Sequence, residues 1–188
     1  EHDLLVIADE IYAALTYEDD HASIATLPGM RERTVVINGF SKAYAMTGLR
    51  LGYALGPPKA VEAINRVHQY AMLSAPTTAQ YAAVEALDTC DDAVAEMRRA
   101  YNRRRRLVIS RFREMGLPCF EATGAFYAFP EAPGDDEAFA ERLLREQRVA
   151  VVPGSVFGEG GAGHLRVSYA TGTEDLKEAM DRIEAFVG

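Results

Sequence analysis

Residues Asn38 to Gly52 read NGFSKAYAMTGLRLG, and within them Lys42 stands eight residues ahead of Arg50 in a loop containing glycine and serine. The loop leaves an apolar run, Val35-Val36-Ile37, that predicts a buried strand of an α/β sheet. Open sheets of this kind place ligands beyond the carboxyl ends of their strands, so Lys42 is expected where chemistry occurs. A lysine amine attacks a carbonyl only once its proton is lost, which a desolvated pocket or a neighbouring cation promotes. Arg50 is such a cation, and its planar fork also suits a phosphate. Taken alone, the pair reads more readily as two solvated charges.

The pair has company upstream. Leu4 to Ala8 is a second short apolar run, and Asp9 and Tyr12 stand at its carboxyl end in the segment ADEIY. An amine for an aldehyde and a guanidinium for a phosphate are what pyridoxal phosphate requires. A carboxylate beside its pyridine nitrogen keeps the ring protonated and electron-accepting. Asp9 has that chemistry, and the Tyr12 phenol can bond the ring's 3-oxygen. The blander readings are that Asp9 caps the next helix and Tyr12 packs half-buried.

Gly39-Phe40-Ser41-Lys42, Ala45-Met46, Gly48 and Arg50-Leu51-Gly52 together resemble the lysine-attachment pattern of class I/II aminotransferases, pyridoxal-phosphate enzymes of the aspartate aminotransferase fold family. The resemblance implies that Lys42 is the Schiff-base lysine and proton shuttle, that Arg50 binds the phosphate, that Asp9 pairs with the pyridinium nitrogen and that Tyr12 contacts the 3-oxygen. Many relatives carry serine three residues before the lysine; this chain has Gly39, and Ser41 is expected to compensate as a phosphate ligand. Downstream, Arg166 in HLRVSYATG resembles the arginine that clamps the substrate α-carboxylate, a role suited to a bidentate guanidinium. TGAFYAFP, with Gly124 and Phe126, and VAVVPGSVFG, with Pro153 and Gly154, recur in relatives near the substrate.

The fold class implied is α/β: residues 1–100 as the carboxyl-terminal part of the large cofactor-binding domain, mainly parallel sheet with helices, then residues 101–188 as a smaller α/β domain, joined by a long helix over 91–115. The chain is expected to correspond to the carboxyl-terminal half of a family member. The first strands of the sheet, a second phosphate loop and the ring-stacking aromatic would then lie outside these 188 residues, and the piece alone would expose an open sheet edge and be inactive. Helices are predicted from Lys59 to Met72, from Pro76 to Leu87, from Asp136 to Glu146 and from Thr173 to Val187, the last capped by Thr173. Further strands are predicted at Leu51 to Leu55, Ala125 to Phe129, Val149 to Val152 and Leu165 to Ser168.

The formal charge of −8 disfavours a general nucleic-acid role, and Arg103 to Arg106 read as a solvated helix face. Cys90 and Cys119 have neither metal nor redox spacing and are expected as reduced thiols in the cytoplasm. No membrane span is expected. The leading function is transamination between an amino acid and a 2-keto acid by a homodimer. Carbon-sulfur cleavage on the same fold is one alternative, which Met46-Thr47-Gly48 disfavours; a non-catalytic, cofactor-binding regulator domain is the other.

Overall fold

The computed structural model describes residues 2–188. They form two compact units, the first ending at Arg98 and the second running from Arg99 to Gly188, so that the division falls inside one long helix.

In the first unit, β1 (Val6–Asp9), β2 (Thr34–Gly39) and β3 (Gly52–Leu55) make a three-stranded sheet in that order. β1 and β2 are parallel, with Val6 opposite Thr34, and β3 returns antiparallel, with Gly39 opposite Gly52. Leu4 and Leu5 were expected within the first strand, yet both lie ahead of it and are exposed. Pairing with β2 sets the start of β1, and apolarity alone does not. After β3 come α1 (Pro58–Ala71) and α2 (Thr77–Thr89). Pro58 begins α1 at a position where a missing N–H costs nothing. α2 buries Ala79, Ala83 and Ala86 along one face, and α1 buries no residue.

The next helix, α3 (Asp91–Glu114), continues into the second unit, which contains β4 (Tyr127–Ala128), α4 (Asp136–Gln147), β5 (Val152–Pro153), β6 (Leu165–Ser168) and α5 (Thr173–Val187). Its sheet order is β4-β6-β5, antiparallel throughout. β4 is shorter than the predicted Ala125 to Phe129 because Ala125 adopts φ 59, a left-handed conformation that interrupts an extended chain. β5 keeps only the last residue of the run Val149 to Val152 and gains Pro153. The cap of α5 also differs: Gly172 is the N-cap residue, its carbonyl accepting from Leu176 N–H, and Thr173 is the first helical residue.

Arg105 corrects the reading of Arg103 to Arg106 as a solvated face. It is 1% exposed: Nη1 donates to Ala122 C=O at 2.6 Å and pairs with Glu121 at 3.1 Å, and Nε donates to Asn102 Oδ1 at 3.0 Å. A guanidinium pays for burial only when its donors are matched in this way. Among the described residues no helix is long and apolar enough to cross a membrane.

Candidate active site

Backbone pairing brings Asp9, Tyr12 and the lysine loop to one end of the first unit's sheet. Asp9 lies opposite Ile37, and Glu10 N–H donates to Ile37 C=O at 2.8 Å, so the parallel strands β1 and β2 end side by side. Asp9 Oδ1 accepts from Ile11 N–H at 3.1 Å, a local turn of the kind aspartate favours at strand ends. The next short helix, Ala13–Leu15, begins after Tyr12 and takes no side-chain cap, so capping does not explain Asp9. Lys42 Nζ lies 5.7 Å from the centroid of the Tyr12 ring.

Phe40 anchors the loop that presents Lys42. Its N–H donates to Leu51 C=O at 3.2 Å and its C=O accepts from Met46 N–H at 3.1 Å, closing the chain on both sides of the lysine. The Phe40 ring is buried against Ala83 and Ala86, with the Tyr44 and Tyr53 rings 5.3 and 5.9 Å away. Tyr44 also contacts this cluster; burial first, and then the charge of Asp91, push its phenol above the ordinary value. It therefore stays protonated at neutral pH.

Two residues of the loop that carry a Cβ sit in the left-handed region, Ala45 at φ 54 and Arg50 at φ 56. Each costs about 1–2 kcal/mol relative to a right-handed residue. Such strain survives where the surroundings over-determine the backbone, as they do around ligand clamps. Arg50 closes the short helix Thr47–Leu49, Nη1 donates to Thr47 C=O at 2.8 Å, and the side chain is exposed.

Gly39 is required by its neighbours. A Cβ there would lie 2.9 Å from both Gly52 Cα and Leu51 O, closer than backbone atoms tolerate. The glycine that departs from the serine of many relatives is thus fixed by contact with β3. Ser41, half-buried, supplies the hydroxyl next to Lys42, and among the described residues that hydroxyl takes no hydrogen bond.

Arg166 belongs to the second unit. It lies on β6 opposite Val152, half-buried, with its guanidinium carbon 4.7 Å from the centroids of both Tyr127 and Phe157. Other arginines of that unit are matched by acids: Arg111 by Asp181 and Glu184, Arg142 by Glu146, Arg182 by Glu178. Among the described residues Arg166 meets no carboxylate and no hydrogen-bond acceptor. Sequence reasoning singled out TGAFYAFP and VAVVPGSVFG but passed over Tyr127 and Phe157 within them. Contact with residues 39 and 9 positions removed from Arg166 leaves no periodic signal.

The donor set fits pyridoxal phosphate. Lys42 offers an amine, Arg50 and Ser41 a cation and a hydroxyl on one loop, Asp9 a carboxylate at the adjacent strand end, and Tyr12 a phenol beside the lysine. The close contact of Gly39 with Gly52 keeps this strand end free of a side chain.

Comparison with known proteins gives a consistent result. A family model described as "Aminotransferase class I and II" matches residues 1–183. The chain is 50% identical to an aspartate aminotransferase of Pyrococcus abyssi and 48% identical to an aromatic-amino-acid aminotransferase of Thermococcus litoralis, covering 98% of itself and 49% of the relative in each case. Its fold is similar to the crystal structure of an aromatic aminotransferase from Pyrococcus horikoshii, with a TM-score of 0.95 and 48% identity over 99% of this chain and 52% of the other. The chain spans about half the length of the relatives it matches.

Proposed function

The chain belongs to the aminotransferase class I and II family, and we propose that it contributes the lysine-bearing part of a pyridoxal-phosphate enzyme that moves an amino group between an amino acid and a 2-keto acid. The observation that carries this reading is Lys42, held on a strained loop at the carboxyl end of β2 with its amine beside Tyr12. When bound, the cofactor supplies an aldehyde that takes up amino groups and a ring that accepts electrons from the substrate α-carbon.

This chain's residues divide the remaining work. Lys42 would hold the cofactor through its amine, and that amine would move a proton at the substrate α-carbon. Arg50, with Ser41, would bind the phosphate; the Arg50 side chain is exposed, with Nη1 donating to Thr47 C=O. Asp9 would hold a proton on the cofactor's ring nitrogen, and Tyr12 would donate to its 3-oxygen. Arg166 takes the substrate α-carboxylate with a guanidinium that no acid of its own unit neutralises.

On this reading residues 1–100 are the carboxyl-terminal part of the large cofactor domain, residues 101–188 are the small domain, and the chain is the carboxyl-terminal half of the enzyme. A second copy is the expected partner, supported by the exposed Tyr70, Met72, Leu73 and Tyr81 around the loop between α1 and α2. The free thiols Cys90 and Cys119 support a cytoplasmic location. Transamination is what relatives named for aspartate and for aromatic amino acids have in common.

The test is the visible absorbance of the full-length protein with pyridoxal phosphate, beside Lys42→Ala, before and after addition of a broad amino-acid panel. A lysine-dependent band that shifts on amino-acid addition supports the proposal. A protein that holds the cofactor yet reacts with no member of the panel would refute it. Pyruvate formed from cysteine without a keto acid would replace transamination by carbon-sulfur cleavage.

A further inference from the structure

Arg166 differs from the paired arginines around it in what holds it. A guanidinium is planar: its faces stack on aromatic rings, while its five N–H donors point outward in the plane. Acid-paired arginines such as Arg111 and Arg182 have already committed donors to Asp181 and Glu178. Arg166 instead has its guanidinium over two rings, each 4.7 Å away, and among the described residues its in-plane donors meet no acceptor. Cation–π attraction restrains the group without consuming a hydrogen bond.

Both rings are themselves fixed within the second unit. Tyr127 lies on β4 in register with Ser168, two residues along β6 from Arg166, and its ring meets that of Phe126 at 4.8 Å. Phe157 ends the short helix Gly154–Phe157. That segment is tied down at its start, where Ser155 N–H donates to Asp136 Oδ2 at 2.7 Å. It is also held by direct backbone contact, since a Cβ on Gly154 would fall 2.0 Å from Gly161 O. Phe157 is nonetheless 53% exposed, which places this ring at the surface and not in the core.

We propose that Tyr127 and Phe157 are positioning residues that hold the Arg166 guanidinium aligned as a receptor for a carboxylate, so that the rings set carboxylate affinity without touching the reacting atoms. The inference rests on the assignment of Arg166 to the substrate carboxylate and extends it to the residues that aim it.

The experiment is calorimetric titration of the full-length, cofactor-loaded protein with 3-phenylpropanoate and with succinate, neither of which can transaminate. Phe157→Leu and Tyr127→Leu are expected to weaken both ligands about tenfold, each variant losing roughly one stacking contact. Phe157→Tyr and Tyr127→Phe, which keep a ring, should bind like the parent, and Arg166→Lys should bind weakest. With amino-acid substrates, Phe157→Leu should raise KM more than it lowers kcat. Parental affinity in both leucine variants, with binding lost in Arg166→Lys, would reduce the rings to packing and overturn the proposal. Parental affinity in Arg166→Lys would overturn it at its root. Because Phe157 is exposed, its leucine variant is expected to fold, and an unchanged melting temperature verifies this. Carboxylate binding requires no amino-group transfer, so a protein inactive toward every amino acid would still reveal whether the rings aim Arg166.

Discussion

In the second unit, Val108, Ile109, Phe112, Leu143, Leu165, Met180 and Ile183 are each 2% exposed or less, and they come from α3, α4, β6 and α5. In the first unit, Leu15, Val35 and Ala79 are the aliphatic side chains buried to that degree among the described residues, and Ile7, Val67, Tyr70, Leu73 and Tyr81 each expose 70% or more of their surface. The second unit has a core that closes on itself. The first offers a sheet end carrying the cofactor-type residues, supported chiefly by Phe40 and the alanine face of α2. The difference teaches that local order and completeness of burial are separate properties. The lysine loop is closed by local backbone hydrogen bonds and anchored by one aromatic ring, Phe40.

Paired truncations give the largest effect. Phe112→Ala should cost about 3–5 kcal/mol, because a fully buried ring leaves a cavity. Tyr70→Ala, at an 88% exposed position, should change stability by less than about 0.5 kcal/mol. Urea unfolding of both variants measures the contrast. A large loss for Tyr70→Ala would mean that the α1 face is covered in solution, breaking the comparison.

Gly39→Ala comes next and probes the first unit at its tightest point. The added methyl meets backbone atoms of Gly52 and Leu51, which cannot rotate away, so about 1–3 kcal/mol should be lost. Hydrogen exchange should show the loss in β2 and β3, with α4 and α5 unchanged. Uniform loosening of both units would indicate that they unfold as one.

Much of this organisation was legible in the chain. β6 and α5 fall where alternation and helical spacing put them, because each has one buried face and one wet face. The lysine loop was legible because its residue types are chemically unusual in combination. Arg105 was not, since a charge in an arginine run gives no hint that Glu121 and the Ala122 carbonyl will meet it inside. The ends of β4 were hidden for a different reason: φ 59 at Ala125 is set by its surroundings and not by an alanine's own preference. Tyr127 and Phe157 were hidden because tertiary contacts, unlike helical periodicity, join residues at arbitrary separations.

Acid provides a smaller effect that is confined to the second unit. Asp136 is held below the ordinary carboxylate range, chiefly by the Ser155 N–H it accepts. A depressed folded-state value means that the unfolded chain binds the proton more readily. The contribution is therefore full above about pH 3.9, the unfolded aspartate value, and is lost as pH falls through the lower folded-state value. Asp136→Asn should flatten the acid limb of the stability curve, measured by urea midpoints at descending pH. An unchanged limb would mean that other carboxylates dominate and that the tether to Ser155 is weak.

The mildest probe uses the fact that each unit carries one cysteine. Cys119, in the second unit, is buried, and that burial raises its thiol above the ordinary value; Cys90, in the first, is half-buried. The thiolate is the reactive form, so Cys119 is disadvantaged both by access and by protonation. A thiol reagent at neutral pH should label Cys90 rapidly and Cys119 only as fast as the second unit opens. Adding urea below the unfolding midpoint should accelerate Cys119 in proportion to the opening equilibrium while barely changing Cys90. Phe112→Ala should then accelerate Cys119 alone, since both residues belong to the second unit. Equal labelling rates in the parent would show that the second core opens as readily as the thinly covered first unit, and the distinction between them would fail.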